Sequence, residues 1–91
     1  MTDLVCAHVV AHGRVQGVFY RDTVRRAADR LGVAGHARNL ADGTVDCLFE
    51  GGRAAVEQAI EAAREGSTAS HVERLDVEWV APSGVSGFTT G

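Results

Sequence analysis

VAGHARNLADGTVDCLFE, residues 33–50, divides into two apolar-containing runs, 33–40 and 44–50, separated by Ala41-Asp42-Gly43. A short connection of that composition joins antiparallel strands, so the two runs are expected to fold back on each other as a hairpin. Immediately upstream, from Arg21 onward, Val24, Ala27, Ala28 and Leu31 recur at helical spacing. Arg25, Arg26 and Arg30 fall on the polar side of that helix and Gly32 stops it. Immediately downstream, residues 53–65 carry Val56, Ala59, Ile60 and Ala63 on one stripe and stop at Gly66. The hairpin therefore sits between two amphipathic helices of similar length.

Outside the helices lie two further strands. Val5, Ala7, Val9 and Ala11 share one face of the first, leaving Cys6, His8, Val10 and His12 on the other. The last, residues 72–81, alternates Leu75, Val77 and Trp79 against Asp76, Glu78 and Val80, and Pro82-Ser83-Gly84 ends it. Gly87-Phe88-Thr89-Thr90 can add at most a short edge strand. The order strand, helix, strand, strand, helix, strand is the split β-α-β arrangement of ferredoxin-like domains. The expected architecture is an α+β sandwich in which two helices cover one face of a four-stranded antiparallel sheet. In that topology the first and second strands run parallel with the third between them, so their C-terminal ends share an edge roughly 10 Å apart. The loop after strand one and the residues around Asn39 become neighbours.

Ninety-one residues make one domain, 1–91, with a single core. A content of 45% hydrophobic and 23% charged residues fits an ordinary soluble globular chain and contains no run able to span a membrane. The N-terminal MTDLVCAHVV has no basic region before its apolar run and no small-residue cleavage site after it, so mature protein and a cytoplasmic location are expected. All 9 basic residues are arginine, and 12 acidic residues leave a net charge of -3. That balance argues against a nucleic-acid partner, as do only five aromatic residues, since an RNA-binding sheet of this fold needs exposed aromatics and a basic face. Cys6 and Cys47 lack metal-type spacing and are too few for a disulfide scaffold; alternation puts them on opposite faces, so they are not expected to pair.

One stretch carries more backbone freedom and positive charge than a turn needs: HGRVQGVFYRD, residues 12–22, at the junction of strand one and helix one. Gly13 and Gly17 permit backbone angles that a β-carbon forbids, and successive N–H groups of such a loop can turn inward around an anion. The helix N-terminus adds uncapped N–H groups and a partial positive charge, and Arg21 stands beside it. Phosphate is the anion that best suits this cradle. The stretch lacks the Gly-Lys-Ser/Thr ending of a P-loop and is not a dinucleotide fingerprint. By spacing alone it is as compatible with an ordinary glycine-bearing turn as with a site.

The full string GRVQGVFYR at 13–21, followed by GHARNLADGTV at 35–45, resembles the acylphosphatase family. The resemblance extends over essentially the whole chain in length and element order. It implies a ferredoxin-like fold and hydrolysis of an acyl phosphate to a carboxylate and inorganic phosphate, with no metal or organic cofactor. It further implies that the backbone of Gln16, Gly17, Val18, Phe19 and Tyr20 binds the substrate phosphate together with Arg21, and that Asn39 positions the attacking water. A small-molecule acyl phosphate is then the partner, and a monomer is expected. The other function open to the same fold is a phosphate-ligand binding or regulatory module without turnover. Three departures accompany the resemblance: His36 stands where an aromatic residue is more usual, residues 67–70 lack glycine-proline character, and the chain ends Phe-Thr-Thr-Gly without a basic residue.

His8, His12 and His36 fall on the sheet face away from the helices. With strands one and two not adjacent and no carboxylate expected to complete a set, solvent-facing polar positions describe them better than metal ligands. His12 precedes the loop and could add positive charge near the phosphate at low pH. Arg14 and Arg38 are placed in solvent or in the positive field around the site, and Trp79 in the core or on the sheet surface. Asparagine near a hairpin often supports a turn, so Asn39 owes its expected role to the motif.

Overall fold

In a computed structural model, which describes residues 3–91, the 33–50 hairpin forms as the sequence implies. The elements are β1 (Leu4–Arg14), α1 (Tyr20–Leu31), β2 (Ala34–Asn39), β3 (Val45–Gly52), α2 (Arg53–Glu65), β4 (His71–Val80) and β5 (Phe88–Thr90). Met1 and Thr2, the start of the stretch read as mature N-terminus, lie outside the described residues.

The sheet order is β4-β1-β3-β2-β5, with β3 antiparallel to both β1 and β2. β1 and β2 are therefore parallel and end at the same edge, as the topology required. Phe88–Thr90 is a true fifth strand and pairs parallel to β2, Gly35 opposite Phe88 and Ala37 opposite Thr90. The four strands β4, β1, β3 and β2 are antiparallel to their neighbours as expected, and the short edge strand the sequence allowed adds one parallel pairing, which makes the five-stranded sheet mixed. β1 also runs further than its apolar alternation, to Arg14, so Gly13 belongs to a bulged strand end beside β4 and not to the loop.

Alternation determines the core. Ala7, Val9 and Ala11 of β1, Ala37 of β2, and Val45, Cys47 and Phe49 of β3 face the helices, meeting Val24 and Ala28 of α1 and Val56, Ala59, Ile60 and Ala63 of α2. Phe49 also stacks on Phe88, ring centroids 5.9 Å apart, which fixes β5 against the sheet. Trp79 shares the helix-facing side but lies on the edge strand β4, half exposed, with the Arg53 guanidinium 5.4 Å from its ring centroid.

The connection from β4 to β5 is anchored by a residue that pattern alone leaves unremarked. Glu50 of β3 is buried, and its carboxylate accepts from the Ser83 N–H (2.7 Å) and the Gly84 N–H (2.8 Å). The Ser83 amide leads in holding this carboxyl below the usual carboxylate range, and the Gly84 amide adds to it against the opposing effect of burial. Gly35 then donates its N–H to the Gly87 carbonyl (2.9 Å), and β5 begins.

Gly35 is a position where only glycine fits. Its φ is +141°, and a β-carbon there would lie 1.7 Å from the Leu48 carbonyl oxygen, a backbone atom held in the β2–β3 ladder. Gly35→Ala is expected to destabilise the protein by about 3 kcal/mol or more, lowering Tm by roughly 12–24 °C in a thermal melt. A variant melting within a few degrees of the parent would contradict this close approach.

Candidate phosphate site

The connection between β1 and α1 is held at several points. Val15 is buried in the core. The Gln16 side chain turns away from the loop and donates its amide N–H to the carbonyls of Leu40 (2.7 Å) and Thr44 (2.8 Å). Across that turn Asp42 accepts from the Thr44 N–H (3.0 Å) and hydroxyl (2.6 Å), so the hairpin end to which Gln16 is tied is itself braced. Gly17 follows with φ 72°, a conformation glycine adopts without strain. At the other end Tyr20 is buried and donates its hydroxyl to the Ala63 carbonyl of α2 (2.7 Å), and burial pushes its phenol pKa up, keeping it a donor.

Between these anchors Phe19 adopts φ 61°, ψ 21°, and among the described residues it is the one non-glycine with positive φ. A left-handed conformation at such a residue costs on the order of 1 kcal/mol. Its carbonyl accepts from both the N–H (3.1 Å) and the hydroxyl (2.9 Å) of Thr23, closing the first turn of α1. Phe19 supplies no side-chain cap, so the amides at the start of α1 stay available beside the loop.

The concave side of the loop opens into a cleft of about 480 Å³ whose lining includes Val15, Gly17, Phe19, Arg21, Arg25 and Thr90. Arg21 is the cation of interest. Among the described residues it forms no ion pair, whereas Asp22, its chain neighbour, is engaged by Arg25 (2.8 Å) and Arg26 (2.9 Å). The Arg25 hydrogen bond leads in holding the Asp22 carboxyl low; burial opposes it, and the Arg26 and Arg25 charges add to it. Asp22 itself lines the cleft, but its carboxylate is neutralised by two other arginines, and the Arg21 guanidinium keeps its donors for an anion.

Of the residues singled out from the sequence, Gly17, Phe19, Tyr20 and Arg21 line this cleft together. Val18 faces a second cleft on the far side of Phe19. Asn39 is exposed at the last position of β2, paired with Val45, and is not part of the lining. What connects it to the loop is Gln16, bonded to the carbonyl of the next residue, Leu40. Sequence reasoning missed that link, having assigned Gln16 only a backbone role. It also missed Thr90, which reaches the cleft because β5 runs parallel to β2 toward the same edge.

The family model for acylphosphatase matches residues 7–90. The chain belongs to the acylphosphatase family. It is 48% identical over 88 residues to the acylphosphatase of Gloeobacter violaceus, a match covering 97% of this chain and 95% of that one. It is 50% identical over 82 residues to the acylphosphatase of Haloarcula marismortui, covering 90% of each. The crystal structure of the acylphosphatase from Bacillus subtilis superposes with a TM-score of 0.93 at 33% identity, covering 96% of this chain and 98% of the other. The protein is an enzyme, an acylphosphatase that hydrolyses acyl phosphates to a carboxylate and inorganic phosphate.

His8, His12 and His36 of this acylphosphatase lie on the open sheet face, as alternation required, but in company the sequence did not reveal. Asp46 of β3 stands between β1 and β2 and accepts from His8 Nε2 on one oxygen and from His36 Nε2 (3.0 Å) on the other, with Arg38 at 3.5 Å. The expectation that no carboxylate joins this group is therefore corrected. Burial of Asp46 opposes its ionisation, yet the hydrogen bonds from His8 and His36 outweigh burial and hold it below the usual range. Among the described residues no cluster of three His, Cys, Asp or Glu is arranged to hold a metal ion. His12 pairs with Asp76 (2.8 Å) and Arg74, toward β4. Cys6 and Cys47 are free thiols on opposite faces of the sheet, and burial pushes Cys47 up to about 12, which leaves it no nucleophilic character at neutral pH.

Proposed function

We propose that the phosphoryl group of the acyl phosphate sits in the cleft between the Gln16–Tyr20 backbone and the Arg21 guanidinium, and that Asn39 orients the attacking water. The observation that carries this reading is Arg21: a half-buried guanidinium without a carboxylate partner among the described residues, lining one cleft with Gly17 and the αL backbone of Phe19. A planar fork and fixed N–H groups are what a transferring phosphoryl group needs, because its charge spreads over three equatorial oxygens.

The rest of the chemistry asks little of the protein. Water oxygen bonds to phosphorus as the bond from phosphorus to the acyl oxygen breaks, and the electron pair leaves on the carboxylate. The conjugate acid of that leaving group has a pKa of about 4, so it departs at neutral pH without a protein acid. A non-bridging phosphate oxygen can take the proton from the water once Asn39 has placed it in line, and inorganic phosphate results. Gln16 acts in this scheme through its side chain as well as its backbone, by tying the loop to the hairpin that carries Asn39.

Residues 1–91 are proposed to work as one domain, as a monomer, in the cytoplasm and without a nucleic-acid partner. The polar open face of the sheet, built from His8, Asp46, His36 and Arg38, is unlike the apolar face of an obligate dimer, and two free thiols suit a reducing compartment. Titrating the labelled protein with inorganic phosphate, the reaction product, tests the phosphate site directly. The amide resonances of residues 16–21 should move most, with phosphate acting as a competitive inhibitor; shifts centred on another surface with the loop silent would refute the assignment.

A further inference from the structure

Phe19 is unusual in two independent respects. It holds a left-handed backbone that other residue types adopt more readily, and it is 80% exposed, more than any other large hydrophobic among the described residues. A loop whose only task was to surround phosphate with N–H groups would be served as well by glycine or asparagine at that point. The ring stands between two clefts, lining the one that contains Arg21 and also a second whose lining includes Val18, Asp22, Thr23, Arg26, Ser67 and Ala69.

The second cleft is bordered by two loops bonded to each other. The Ser67 hydroxyl donates to the Val18 carbonyl (2.5 Å), fixing the loop after α2 against the loop after β1. Ser70 closes the same turn by accepting from the Ser67 N–H (2.8 Å) and donating to the Ser67 carbonyl (2.9 Å). Arg26, the cation at its rim, is paired with Asp22 at 2.9 Å, so the cleft is not a second anion site. The in-line geometry of phosphoryl transfer gives it a direction as well. Asn39 lies on β2, to one side of β1; the 66–70 segment leads into β4, on the other side. If water approaches from Asn39, the leaving carboxylate departs on the opposite side of phosphorus, past Phe19 and into the second cleft.

We infer that Phe19 and the cleft it shares with Val18 and the 66–69 loop form the acyl-group subsite, selecting uncharged aromatic or bulky apolar acyl phosphates over small ones. The inference rests on the phosphate position proposed above. Phe19 is a specificity-determining residue here: its ring packs on the acyl group, and its αL backbone aims that ring across the boundary between phosphate and leaving group.

Initial rates with benzoyl phosphate and acetyl phosphate, together with inhibition by inorganic phosphate, test this on the parent, Phe19→Asn and Phe19→Trp. Asparagine tolerates the αL conformation, so Phe19→Asn removes the ring while keeping the loop. Phe19→Asn should lower kcat/KM for benzoyl phosphate about tenfold, the scale of losing one partly buried aromatic contact. For acetyl phosphate, whose phosphate meets the same loop but whose acyl group is too small to reach the ring, kcat/KM should fall less, so that the benzoyl-to-acetyl ratio of kcat/KM drops several-fold, while Phe19→Trp keeps the parent's ratio. Equal losses on both substrates, or an unaltered ratio, would overturn the subsite. An Arg21→Lys protein with unchanged turnover and phosphate inhibition would instead overturn the phosphate position, and the subsite with it.

Discussion

Arg21→Lys should lower kcat/KM for any acyl phosphate by about 10³-fold, and Arg21→Ala by at least as much, since arginines that stabilise a phosphoryl transition state contribute on that scale. Lysine keeps the charge but not the fork. A single ammonium cannot bridge two equatorial oxygens, and its shorter reach leaves one of them to water. The loss is expected mainly in kcat, because charge on those oxygens grows toward the transition state, with a smaller rise in KM. Stability should hardly change: Arg21 lies at the rim of a cleft and forms no ion pair among the described residues, so a melt within a few degrees of the parent separates chemistry from folding. An Arg21→Lys variant retaining more than a tenth of parental activity would remove Arg21 from the site.

Asn39→Ala should lower kcat by about 10²-fold or more with KM nearly unchanged, the signature of losing a group that orients the nucleophile without binding substrate. Asn39 is the last residue of β2 and is exposed, so the fold should tolerate the change. Asn39→Asp sharpens the test. Aspartate could still accept from water, but it lacks the amide donors and places a negative charge near a phosphate dianion; activity should fall at least as far as with alanine. A rise in KM at constant kcat in either variant would mean that Asn39 contacts the phosphate instead of the water.

The parts of the molecule legible in the sequence were those with period. α2 spans Arg53–Glu65 as its stripe of Val56, Ala59, Ile60 and Ala63 implied, and alternation placed Val45, Cys47 and Phe49 toward the helices. β5 could not be read with the same assurance, because three residues between glycines carry no period; its pairing is decided by Phe88 stacking on Phe49 and by Glu50 gripping the chain ahead of it. Asp46 was hidden for a related reason. That His8 and His36 reach its two oxygens depends on cross-strand register, and register links residues far apart in the chain. At the site, the motif identified the loop and the arginine. The left-handed Phe19, the side-chain bonds of Gln16 and the approach of Thr90 are products of the assembled loop and sheet, with no local signal in the sequence.

The position of β1 has a kinetic consequence. It is the first strand of the chain and an interior one of the sheet, yet its neighbours are distant: Ala11 pairs with Val45 on one side and Leu75 on the other, and Cys6 with Glu50 and Val80. Neither flank can close until a long stretch of the chain is available, and each closure must meet the entropy of a long loop before any contact rewards it. Folding of so non-local a topology belongs to the slower class of small domains, in milliseconds to seconds. The loop from Gln16 to Tyr20 springs from the end of this strand and is anchored to the hairpin and to α2, so it can take shape only when those long-range pairings are complete.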